Sequence, residues 1–181
     1  MLDSSGSITG ERFGIVKEMV ISIVNELDVR MDRTRIGLIY WSNTAFVAFN
    51  MIDYGQVKQD VVEAIRRVPY RGNWTQTQDA LRLVYDTAFQ YHNGNRRGVP
   101  NVAVLVSDGN SNVFPELTPV QASVCRMNNI RMVAVGLGDM VNEVELSMIA
   151  SRPLGANMFI HPSFEDLENI TESLLQTTCD G

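Results

Sequence analysis

Two runs of uninterrupted apolar residues, VAVLV within Val99–Ser107 and MVAVGL within Arg131–Gly138, constrain this chain more than any other feature. A strand with one wet face alternates apolar and polar residues, whereas a strand covered on both faces need not. Each run is followed by a helical pattern, Pro119–Asn128 after the first and Asn142–Ser151 after the second. Buried strands alternating with amphipathic helices indicate a doubly wound α/β fold, a mostly parallel sheet with helices on both faces.

The rest of the chain keeps to this rhythm. Gly10–Leu27 places Phe13, Val16, Val20, Ile23, Val24 and Leu27 at helical spacing. Arg35–Trp41 and Ala45–Asn50 are short β-rich runs joined by Ser42-Asn43-Thr44, a hairpin that supplies one antiparallel edge strand. Gly55–Val68 and Thr77–Tyr91 read as helices, Asn157–Ile160 as a short strand and Phe164–Thr177 as the last helix. With 181 residues and no linker-like stretch, positions 1–178 read as a single domain and 179–181 as a tail.

Several function classes fall away on bulk properties. A net charge of −6 and scattered arginines argue against a nucleic-acid backbone as partner. No apolar run is long enough to insert in a membrane as a helix. Cys125 and Cys179 are too few for a disulfide scaffold and lack metal-ligand spacing. His92 and His161 stand apart and carry no partner pattern.

In doubly wound sheets ligands sit at the carboxyl ends of the strands. Three stretches that carry oxygen ligands fall there. Asp3-x-Ser5-x-Ser7 can converge one carboxylate and two hydroxyls, a hard-oxygen set suited to Mg²⁺, Mn²⁺ or Ca²⁺. Gly72-Asn73-Trp74-Thr75-Gln76-Thr77 opens a helix, and Ser107-Asp108-Gly109 ends the VAVLV strand. A plainer reading makes Ser7 the N-cap of the first helix. A phosphotransfer reading would make Asp3 a nucleophile, but that chemistry wants a second carboxylate where Ser5 stands.

LDSSGSI, the T-x-T loop at Thr75 and Thr77, VLVSDG, VAVGLG, IASRP, MFI and a final F-x-x-L together resemble the von Willebrand type A or integrin I domain, from Leu2 to about Leu175. The resemblance implies a metal-ion-dependent adhesion site with Asp3, Ser5, Ser7, Thr75 and Asp108 as its ligands. The serines would bind directly and Asp3 directly or through water. Only two of these five residues are carboxylates, so a bound divalent cation, Mg²⁺ by preference, keeps positive character and an open position for a partner's Glu or Asp. Trp74, Asn110 and Asn112 are the expected partner-binding rim, with Trp74 either a lid or an exposed anchor. Ser107 stands where the family commonly has threonine.

The resemblance also implies an extracellular, secreted adhesion or matrix module binding collagen or another matrix protein. An intracellular scaffold domain within a larger assembly is the alternative. The family's first strand is central, and the residues ahead of Asp3 look too few to supply it. That strand is expected to precede Met1 in a longer chain, unless the sheet is built differently. Matrix members often carry a cysteine where Cys179 falls, paired with one upstream of the first strand, so Cys179 is not expected to bond Cys125. Asn73 and Asn169 head glycosylation sequons, and Asn73, beside the site, is expected to be unmodified.

Overall fold

A computed structural model describes residues 1–139 and 141–163. The expected last helix, Asn169 and Cys179 lie outside the described residues. Six strands form one sheet in the order β3-β2-β1-β4-β5-β6: β1 Leu2–Asp3, β2 Leu38–Trp41, β3 Ala45–Phe49, β4 Asn101–Ser107, β5 Ile130–Leu137 and β6 Met158–His161. Every neighbouring pair is parallel except β2 and β3, the hairpin. The helices are α1 Gly10–Glu26, α2 Lys58–Arg66, α3 Thr77–Leu83, α4 Thr118–Met127 and α5 Glu143–Ile149.

The apolar strands are continuous because both faces are covered. Along β2, Leu38 and Tyr40 face the layer of α1 and α2, while Ile39 and Trp41 face the layer of α3, α4 and α5. On β5, Val133, Val135 and Leu137 take the first side, Met132 and Ala134 the second. Cys125 on α4 is fully buried in the second layer as a free thiol, and burial pushes it up to about 11.

The central position of the sheet, expected to lack its strand, is taken within the given residues by a short one. Leu2–Asp3 is that strand, lying between β2 and β4 with Leu2 opposite Tyr40 and Val106. Its ladder reaches past the two residues: the Met1 amine donates to Val104 O at 2.7 Å, and Ser4 N to Trp41 O at 2.8 Å. Too short to show an apolar pattern, it is held by paired backbones on both sides, which no residue count reveals.

Other boundaries shift for local reasons. The strand expected from Arg35 starts at Leu38, because Gln56 occupies the backbone of Ile36. Its Oε1 accepts from Ile36 N at 2.6 Å and its Nε2 donates to Ile36 O at 3.1 Å. To bury that amide the chain holds Tyr54, Gly55 and Gln56 in the left-handed region, so the helix expected from Gly55 starts at Lys58. Helix α3 gives way after Leu83 to a π-turn over Val84–Ala88, so its expected extent to Tyr91 is not α-helical throughout.

Candidate metal centre

Parallel β1 and β4 end at the same edge of the sheet, which brings Asp3 and Asp108 together. Asp3 is 1% exposed, and both of its oxygens accept hydrogen bonds, Oδ1 from Ser5 N at 2.8 Å and Oδ2 from Ser107 Oγ at 2.6 Å. Ser107 also accepts from Gly109 N at 2.9 Å, so this serine, at first only a departure from the family pattern, orients both acidic loops. Ser5 is buried, Ser7 is exposed, and their hydroxyls lie 3.2 Å apart. The N-cap of α1 is Thr9, whose side chain accepts from Arg12 N, which removes the capping explanation for Ser7.

The Thr75 loop is tied to both of the others. Gly6 N donates to Asn73 O at 2.9 Å and Gly72 N to Ser4 O at 2.8 Å, joining it to the Asp3 loop. On the other side Thr75 N donates to Asn112 Oδ1 at 2.8 Å, and Thr75 O accepts from Asn112 N at 3.1 Å. All five expected ligands therefore lie on three mutually hydrogen-bonded loops. Asn112, expected on the rim, is solvent-exposed, but its side chain fixes the backbone of Thr75, an expected ligand. Exposed Asn110 closes over Asp108, its N–H donating to Oδ1 at 3.1 Å.

Trp74 is 62% exposed, which decides against a lid. Gly72 and Asn73, at φ 66° and 79°, turn the chain so that this ring points outward while Thr75 turns inward. Phe114 is similarly bare at 59%, two residues past Asn112 and in the left-handed region that bulky residues rarely occupy. No periodicity would have found it, since it lies in a loop.

The electrostatics are those of a site lacking positive charge. Burial raises the Asp3 carboxyl from its ordinary 3.8 to about 6, and nearby Asp108 adds to the effect. A third carboxylate, Glu145 on α5, is buried alongside, and burial raises it too. Among the described residues none of the three has an ion-pair partner. Buried charges are normally paired or coordinate a metal. No three His, Cys, Asp or Glu side chains converge among the described residues, so any cation here relies on hydroxyl oxygens. Two carboxylates and three hydroxyls fit a hard divalent cation of the Mg²⁺ class and suit zinc less well.

Comparison with known proteins agrees with this architecture. The family model described as von Willebrand factor type A domain matches residues 1–173. Matrilin-1 of Gallus gallus is 31% identical over 179 residues, covering 99% of this chain and 35% of its own length. The collagen alpha-4(VI) chain of Mus musculus is 32% identical over 182 residues, covering 99% of this chain and 8% of its own length. The chain thus spans about a third or less of these relatives. Proximal thread matrix protein 1 from the mussel byssus superposes with a TM-score of 0.89 at 22% identity, over 98% of this chain and 46% of its own. Another structure of that protein, with a zinc-occupied MIDAS motif, superposes at 0.88 and 21% identity.

Proposed function

The chain belongs to the von Willebrand factor type A domain family, and from that premise we propose that it binds other proteins through a divalent cation. Asp3, Ser5, Ser7, Thr75 and Asp108 hold the ion. The cation supplies one open coordination position to a Glu or Asp of the partner. Ser107 and Asn112 hold Asp3 and Thr75 in place, and Trp74 and Phe114 offer exposed rings beside the site. The observation that carries this reading is a set of buried carboxylates with no ion-pair partner among the described residues, opening onto hydroxyls at the sheet edge. Mg²⁺ is the preferred ion, because it tolerates hydroxyl and water ligands in octahedral geometry. Mn²⁺ and Ca²⁺ are the alternatives, and the zinc-occupied motif of the mussel protein supports a divalent ion without selecting one. The module performs no catalytic step in this reading.

The proposed setting is extracellular and the proposed partner a matrix protein such as collagen. A collagen chain stands among the relatives, and a byssal matrix protein among the fold matches. Binding to immobilised collagen and other matrix proteins, measured in Mg²⁺, in EDTA and after Mg²⁺ is restored, tests the mechanism. Loss in EDTA with recovery on restoration, and no binding by Asp108→Ala, are expected. Undiminished binding in EDTA would overturn it.

A further inference from the structure

Glu145 is a buried carboxylate that the ligand set does not use. It sits in the first turn of α5, which Asn142 caps by accepting from Glu145 N at 3.2 Å. Its two oxygens grip one residue of the Asp108 loop: Oε1 accepts from Ser111 Oγ at 2.5 Å and Oε2 from Ser111 N at 3.2 Å. The same Ser111 hydroxyl lies 2.6 Å from Thr77 Oγ1 and 3.4 Å from Thr118 Oγ1. Four polar side chains from α3, α4, α5 and one loop therefore meet behind the metal centre.

Ser111 stands in a telling place. Three residues before it is Asp108, the next is Asn112, whose side chain and backbone hold Thr75, and Thr77 is two residues beyond Thr75. Asn142 N also donates to Asp108 O at 2.9 Å, so the start of α5 braces the loop at both ends. A loop carrying a ligand has no rigidity of its own, and outer groups that orient ligands commonly govern metal affinity.

Resting on the metal-site reading above, we propose that Glu145 is a positioning residue, acting through Ser111 to hold the loops that carry Thr75 and Asp108 at the spacing a divalent cation requires. It does not touch the ion. In the metal-free chain this arrangement works against stability, because a carboxylate is buried near Asp108 with no cationic partner among the described residues. Affinity and metal-free stability should therefore respond to its removal in opposite senses, which a purely structural residue would not produce.

Mn²⁺ binding followed by the electron paramagnetic resonance of the free ion, with thermal unfolding in EDTA, tests this on wild type and Glu145→Gln. Glutamine keeps the shape and one acceptor, but it removes the charge and the second acceptor, so the Ser111 hydroxyl can no longer donate to this side chain while Ser111 N does. The expected result is about tenfold weaker Mn²⁺ binding or more, with the EDTA midpoint higher than, or within about 2 °C of, wild type. Unchanged affinity overturns the proposal, and so does weaker binding accompanied by a larger fall in the EDTA midpoint. If Glu145→Gln does not fold, Ser111→Ala, which keeps the carboxylate and the backbone contact but removes the hydroxyl that joins Glu145 to Thr77 and Thr118, must lower Mn²⁺ affinity, and unchanged affinity there overturns it equally. Wild type that binds no Mn²⁺ would instead sink the metal-site reading itself.

Discussion

At the residue scale, Asp3 makes the metal-free chain sensitive to pH. Its carboxyl is raised from 3.8 to about 6, chiefly by burial. Well below pH 3.8 it is protonated whether the chain is folded or not, and burying it carries no charge penalty. As pH rises through about 6 the folded chain must carry a buried charge, and a shift of this size costs about 3 kcal/mol. Urea unfolding in EDTA should therefore show wild type losing stability relative to Asp3→Asn between about pH 3.5 and 6.5, with the difference level above that. A constant difference between the two would contradict the burial argument. Saturating Mg²⁺ should flatten the dependence, since the ion compensates the charge. Trp74 makes a separate point. Exposed by a left-handed turn and donating nothing to the ligand set, it should be dispensable for the ion and costly for the partner. Trp74→Ala is expected to leave Mn²⁺ affinity within about twofold while weakening partner binding by about tenfold or more, the usual weight of an aromatic anchor. Titration of the ion and of the partner on the same preparation separates the two effects.

At the scale of elements, the approach of α5 to β5 sets where the Asp108 loop can lie. Gly136 permits that approach. A Cβ there would stand 2.6 Å from Leu146 Cδ1 and from Val141 Cγ1, and 2.9 Å from Ile160 Cδ1. Gly109, at φ 73°, lies against the same helix, where a Cβ would meet Asn142 O at 3.0 Å. Gly136→Ala should accordingly cost about 1–3 kcal/mol as overpacking in a filled core. It should also weaken the ion, because α5 carries Glu145 and is capped by Asn142, which holds the loop. Urea titration reads the first effect and Mn²⁺ titration the second. An alanine variant as stable as wild type would show that α5 has room to retreat.

For the whole molecule, cation binding and folding are linked, because the three loops converge only in the folded sheet. A ligand present at a hundred times its Kd stabilises the folded state by about 2.7 kcal/mol. For a domain of this length that raises Tm by about 5–10 °C. Thermal scans in EDTA and in saturating Mg²⁺ should differ by that amount for wild type and coincide for Asp108→Ala. A Mg²⁺-induced rise that persists in the variant would place the ion elsewhere.

The sequence by itself determined the sheet, since strands as apolar as β4 and β5 can be satisfied only between two helical layers. It also singled out the proposed ligands, because Asp3, Ser5, Ser7, Thr75 and Asp108 occur in recognisable local motifs. What it could not carry were relations between distant segments. The two-residue β1 exists only because β2 and β4 pair with it from both sides. Gln56 displaces a strand start twenty residues away, and Ser107 and Asn112 reach Asp3 and Thr75 across loops. Glu145 looks in sequence like any acidic residue in a helix's first turn. Only packing α5 against β5 buries it and turns it toward Ser111. Local patterns record what each residue tolerates beside its neighbours in the chain, whereas desolvation and hydrogen-bond partnership depend on neighbours that folding alone supplies.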